Sequence, residues 1–175
     1  MKRIHIIGRK NHGKTTLVVD LVQALAKLGL RVGTIKHTHH HHELDTPGKD
    51  SHQHRESGAA VVGICSPPMN AVFWPNRRDE ANETPKQEIK YAKFAPTFEE
   101  CDLVLVEGDT QTTATKIEVW RSAVGTKPLA QSDKSIAAVI TNDTPEIELA
   151  APLWDRSSVD SIAERIIELL DSNSN

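Results

Sequence analysis

Apolar positions recur along this chain in two rhythms. Ile4, Ile6 and Ile7 form a short run that predicts a strand over residues 3–7. Leu17, Val18, Leu21, Val22, Leu25 and Leu28 then return every three or four residues, the period that turns one helix face to a core. They predict a helix over residues 14–28 with Gly29 as its stop. Residues 31–38 have the β-branched content of a second strand. Turn chemistry at residues 45–48 leads into a short helix over residues 50–56 that ends at Gly58. Two strands follow at residues 61–65 and 71–74, separated by Pro67 and Pro68. Polar residues 75–86, with Pro75 and Pro85, predict a mobile loop, and residues 87–98 a helix interrupted at Pro96.

The run Leu103-Val104-Leu105-Val106 is continuously apolar, as in a strand covered on both faces. Residues 116–121 alternate and predict a strand with one face more exposed. Residues 136–141 predict another buried strand. Ile162, Ile166, Ile167, Leu169 and Leu170 mark a closing amphipathic helix over residues 159–170, with residues 171–175 as a disordered tail. Strands alternating with helices imply an α/β fold whose sheet is mainly parallel and flanked by helices. The hairpin-like pair within 61–74 and the strand near 116–121 predict antiparallel additions. Residues 1–170 are expected to form a single domain.

The motif at residues 8–15 makes that fold P-loop NTPase-like. It reads Gly-Arg-Lys-Asn-His-Gly-Lys-Thr, a complete G-x-x-x-x-G-K-[ST] phosphate loop between a strand and a helix. Gly8 and Gly13 let the backbone amides of Arg9, Lys10, Asn11 and His12 curl around phosphate. Lys14 reaches the β- and γ-phosphates, the Thr15 hydroxyl ligates Mg²⁺, and Thr16 continues the cradle on a helix whose positive end faces the anion. Magnesium also needs an acid at the end of a buried strand. Glu107, closing the run 103–106 ahead of Gly108, is the candidate; Asp102 lies at the strand's other end and is expected to be structural.

Lys36-His37-Thr38-His39-His40-His41-His42 leaves the second strand. Two readings stand for it. His37, His39 and His41, with His52 or His54, form a transition-metal site. Alternatively, Lys36 and His37 lie beside the phosphates and report the γ-phosphate, with Asp45 and Asp50 reaching magnesium or its waters. Thr141-Asn142-Asp143 follows a late strand where many GTP-binding proteins carry [NT]-K-x-D. Asp143 would accept hydrogen bonds from both guanine donors; the lysine is missing, and the segment also reads as an ordinary Asn-Asp turn.

A net charge of −3 without a Lys/Arg run offers no footprint for nucleic acid. No apolar run approaches the roughly 18 residues that a membrane span needs. No signal peptide is expected, because the chain runs straight into a strand. Cys65 and Cys101 lie far apart outside any Cys-x-x-Cys pattern and read as buried thiols of a cytoplasmic protein.

Beyond the phosphate loop, the segments Gly33-Thr34-Ile35-Lys36-His37-Thr38-His39-His40, Pro47-Gly48-Lys49-Asp50-Ser51, Gly58-Ala59-Ala60 and Leu103 to Gly108 occur in an order that resembles the MobB family of molybdopterin-guanine dinucleotide biosynthesis adaptors. The resemblance covers nearly the whole chain. It implies a GTP-binding homodimer, at most a weak GTPase, that assists the MobA guanylyltransferase in making the guanine dinucleotide form of the molybdenum cofactor. Carried over, residues 8–16 hold the phosphates, and residues 36–40 and 45–51 wall the site. Two departures stand out. Asp109-Thr110 occupies positions where an aromatic residue and a lysine are expected, and His41 and His42 lengthen the histidine run. The rival readings are a small-molecule kinase with Arg77-Arg78 as a lid, a His-rich metal-insertion GTPase, and a scaffold with a vestigial site.

Overall fold

The computed structural model describes residues 1–40, 43–74 and 87–172. In chain order the elements are β1 (Arg3–Ile7), α1 (Lys14–Lys27), β2 (Val32–Lys36), α2 (Asp50–Glu56), β3 (Val62–Cys65), β4 (Asn70–Phe73), α3 (Gln87–Ala92), β5 (Leu103–Glu107), β6 (Lys116–Val119), β7 (Ile136–Thr141), β8 (Leu153–Asp155) and α4 (Val159–Ser172). They gather into two compact units, Met1–Thr38 with Gln87–Asn175, and His39–Lys86. The mobile-loop expectation for residues 75–86, the Arg77-Arg78 lid and His41 and His42 fall outside the described residues.

The first unit is built on a six-stranded sheet in the order β2-β5-β1-β6-β7-β8. Every neighbouring pair in it is parallel. On one face Ile4, Ile6, Leu105, Ile117 and Ile140 pack against Leu17, Leu21 and Leu25 of α1 and Ile162 and Ile166 of α4, all buried. The opposite face divides in two. Ile35, Val104 and Val106 pack with Tyr91 of α3, and Ile7 and Val139 pack with Trp120. Burial at this scale, about 25 cal/mol per Å² of apolar surface, is what holds parallel strands that have no local turn to pair them.

The sheet corrects one expectation. β6 is no antiparallel, half-exposed addition; it is a parallel interior strand between β1 and β7, buried at all four positions. Its polar residues made the alternation look like a solvent face, but each is satisfied inside. The Lys116 ammonium meets Asp133 at 2.7 Å, and the Glu118 carboxylate accepts the Leu129 and Ala130 amides at 2.7 and 2.9 Å. Three smaller differences follow from local chemistry. β8 goes unpredicted because three residues show no period. The helix over 87–98 is two pieces, α3 and a 3₁₀ turn at Ala95–Phe98, with Pro96 accommodated in the first turn of the latter. α4 continues to Ser172, where Asp171 meets Lys2 at 3.2 Å.

In the second unit β3 and β4 form the expected antiparallel hairpin, with Val62 opposite Phe73. Ahead of α2, the Asp45 carboxylate accepts the Thr46 amide at 2.8 Å and the Ser51 hydroxyl at 2.9 Å, and Glu43 holds Arg55 at 2.6 Å. Val61, Met69 and Val72 are exposed. Both cysteines are free thiols; Cys65 is exposed and Cys101 half-buried, so neither is the buried thiol expected. No helix among the described residues is long and apolar enough to cross a membrane.

Candidate nucleotide site

Because the strands are parallel, the carboxyl ends of β1, β2, β5, β6 and β7 share one edge of the sheet. Chain order reverses around β1, and a crevice at such an edge is where open α/β sheets take ligands. The phosphate loop leaves β1 at that point. Gly8 has φ +142°, and a Cβ there would stand 2.5 Å from Val119 O, so no other residue fits between the two strands. α1 then opens at Lys14 with no side-chain cap and no acid in its first turn. Its first amides are therefore left for an anion.

The His12 ring, almost fully buried, pins the loop from below. Its Nδ1 accepts the Arg121 amide at 2.9 Å, which leaves Nε2–H to donate to Thr126 Oγ1 at 2.9 Å. Burial, with Lys14, Arg9 and Arg121 nearby, lowers the imidazole pKa and favours this neutral form. His12 thus contributes a backbone amide to the loop while its side chain is structural. Arg9, Lys10 and Asn11 are exposed at the loop's rim.

Lys14, Thr15, Lys36 and Glu107 converge. Lys14 Nζ donates to Arg9 O at 2.8 Å, folded across the mouth of the loop. Burial lowers its pKa against the opposing pull of Glu107. Glu107 Oε1 receives both the Thr15 hydroxyl at 2.8 Å and the Lys36 ammonium at 3.0 Å. Register explains the second contact, since Lys36 pairs with Glu107 at the ends of β2 and β5. A carboxylate and a hydroxyl on adjacent elements, with an ammonium beside them, are a hard-oxygen set suited to Mg²⁺. Asp102 is structural as expected, accepting the Arg31 amide at 2.7 Å.

A cleft of about 470 Å³ runs from Gly13 and Thr16 to Arg121, Asn142, Asp143 and Arg156. Asp143 Oδ2 accepts the Ser122 amide at 2.7 Å, which holds the carboxylate below its usual pKa. Asn142 Oδ1, also at the cleft wall, accepts the Ser157 amide at 3.1 Å. Arg156, which lies in no recognisable motif, follows the short β8 and pairs with Asp20 of α1. Asp45 and Asp50 belong to the second unit, where Asp45 caps its own turn and Asp50 begins α2, exposed. His37 continues the β2–β5 ladder through its amide to Glu107 O at 2.9 Å. Among the described residues no three His, Cys, Asp or Glu side chains converge as a metal site.

A parallel sheet, a phosphate loop between β1 and α1, and an acidic β5 end define a P-loop NTPase-like protein. Comparison narrows the class: the family model for molybdopterin guanine dinucleotide synthesis protein B, MobB, matches residues 3–142, and the chain belongs to that family. It is 33% identical over 159 residues to the molybdopterin-guanine dinucleotide biosynthesis adapter protein of Escherichia coli, covering 89% of this chain and 86% of that one. The Haemophilus influenzae adapter is 36% identical over 163 residues, with coverages of 92% and 85%. The crystal structure of a molybdopterin-guanine biosynthesis protein B superposes with a TM-score of 0.68 at 26% identity, covering 97% of this chain and 99% of that one.

Proposed function

We propose that this chain is a GTP-binding adapter of molybdopterin-guanine dinucleotide biosynthesis that works with a MobA-type guanylyltransferase. The observation that carries the nucleotide half is the convergence of Lys14, Thr15, Lys36 and Glu107 at the uncapped start of α1. The adapter half follows from family membership.

In this reading the triphosphate draws Lys14 from Arg9 O and takes the amides of residues 9–16. Mg²⁺ neutralises phosphate charge when bound, and Thr15 and Glu107 hold it. With Glu107 so engaged, Lys36, which now pairs with it, would be free to turn to phosphate beside His37. The guanine occupies the cleft, with Asp143 facing its two donors. Asp45 and Asp50 remain candidates for magnesium or its waters. Nucleotide binding is the centre of this reading, with at most a weak GTPase activity. Exposed Val61, Met69 and Val72 support a homodimer formed through the apolar surface of the second unit. We assign the protein to the cytoplasm, where the guanylyltransferase would act.

The test is calorimetric titration with GTP, GDP and ATP, with and without Mg²⁺, joined to capture of a purified MobA-type enzyme and light scattering for mass. Tighter Mg²⁺-dependent binding of GTP than ATP, capture, and a dimer mass are expected. Equal ATP and GTP affinity would remove the guanine assignment, and failed capture the adapter one.

A further inference from the structure

Two residues beyond Glu107 lies a buried charge that phosphate or metal binding does not require. Asp109 exposes only 2% of its side chain. Its Oδ2 receives the Tyr91 hydroxyl at 2.7 Å and the Lys90 ammonium at 2.7 Å, both from α3. The intervening turn is fixed at every step. The Glu107 carbonyl accepts the His37 amide at 2.9 Å, and the Gly108 amide donates to Ile6 O at 2.9 Å. The Gly108 carbonyl faces His5 Nδ1 at 3.3 Å. Gly108 has φ +96°, and a Cβ there would meet His37 O at 3.0 Å. Asp109 itself holds φ +64°, a left-handed conformation uncommon for residues with a side chain, of which Asp is among the more tolerant.

Around the carboxylate, the Arg3 guanidinium lies 4.8 Å and the Lys90 ammonium 5.2 Å from the Tyr91 ring centre, and His5 meets the same ring edge-on at 5.1 Å. Burial raises the Asp109 pKa, but the bonds from Lys90 and Tyr91 outweigh it and keep the carboxylate charged. Removing one partner from such a group leaves an uncompensated charge, so the cluster favours a single arrangement.

We propose that Asp109 is a positioning residue for the nucleotide site: by clamping the 107–109 turn to Tyr91 and Lys90 it keeps Glu107 facing Thr15, and it makes α3 sense metal–nucleotide binding. The proposal rests on the reading of Glu107 as the magnesium-side acid.

Tyr91 is the chain's only tyrosine, so ¹³C labelling of tyrosine rings gives a probe at the clamp alone. The full-length protein is titrated with GTP plus Mg²⁺ and with GTP plus EDTA, with calorimetry in parallel. A ring-signal shift with Mg²⁺–GTP, and a smaller one without metal, is expected. In Asp109→Asn that shift should fall by half or more. The enhancement of GTP affinity by Mg²⁺ should fall roughly tenfold while Mg²⁺-free affinity stays within about twofold. Tyr91→Phe keeps the ring and the Lys90 pair, and should lose part of the enhancement if Asp109→Asn folds poorly. Unchanged enhancement in the folded variants, or a ring signal indifferent to bound Mg²⁺–GTP, overturns the clamp alone. Failure of the wild type to bind GTP overturns the nucleotide reading and the clamp with it.

Discussion

The Lys36 ammonium stands 3.0 Å from Glu107 Oε1, the same oxygen that receives the Thr15 hydroxyl. The Glu107 carboxylate is therefore satisfied by the protein's own cation. If Glu107 is the magnesium-side acid, a divalent ion would compete with Lys36 for that oxygen, and a triphosphate would supply the anion that lets Lys36 leave. On the proposed reading, metal and nucleotide would bind more tightly together than apart, which is positive coupling between two ligands of one site.

Glu107→Gln should weaken Mg²⁺-dependent GTP binding by roughly 10–100-fold, the range of one charge-assisted contact of about 1.5–3 kcal/mol. Mg²⁺-free binding should change little, because the amide still accepts the Thr15 hydroxyl. Calorimetry in Mg²⁺ and in EDTA separates the two. Equal losses in both would move the acidic role to Asp45 or Asp50.

Lys14→Ala should cost GTP affinity a comparable 10–100-fold while the fold persists. The side chain is half-buried at the loop mouth, donates to Arg9 O and stands outside the apolar core, so its removal opens no core cavity. An unchanged GTP isotherm with an unchanged melting temperature would remove the phosphate-loop assignment.

Asp143→Asn should narrow the preference for GTP over ATP by about tenfold. A carboxylate accepts from both guanine donors, whereas an amide offers one acceptor and a mismatched donor. The Asn oxygen retains the Ser122 amide bond, so the turn survives. Competition of GTP against ATP reads the effect; an intact preference would leave residues 141–143 an ordinary turn.

The sequence made some of this architecture legible and hid the rest for physical reasons. β1, α1, β5 and β7 announce themselves because each buries a regular apolar set, and the phosphate loop because its spacing is local. β6 misleads because a buried Lys116 and Glu118 look like surface residues until their partners, more than ten residues onward, are known. β8 is too short to show a period, which also conceals Arg156. The Asp109 clamp joins groups 18 residues apart, a pairing that no pattern along the chain encodes. Its one visible trace was Asp109-Thr110 standing where an aromatic residue and a lysine were expected. Tyr91 and Lys90 bring a ring and an ammonium to that place from α3.

The last prediction concerns acid. His5 is fully buried in the middle of β1, and its pKa falls from 6.5 to about 4. Burial is the main cause, aided by the Arg3 and Lys90 charges and opposed by the Gly108 carbonyl and Asp109. The folded protein therefore keeps His5 neutral down to about pH 4, whereas the unfolded chain takes the proton below about pH 6.5. Across that window the unfolded state binds more protons, so stability drops as pH falls from 6.5 towards 4, by up to about 3 kcal/mol from this residue. His12, lowered in the same direction, adds to the slope. His5→Gln, which retains a donor for the Gly108 carbonyl, should be less stable at pH 7 yet lose stability more slowly on acidification. Denaturant unfolding of both proteins at pH 7, 5.5 and 4.5 isolates the His5 contribution as the difference in slope. Parallel pH profiles would show that another group sets the acid sensitivity of the fold.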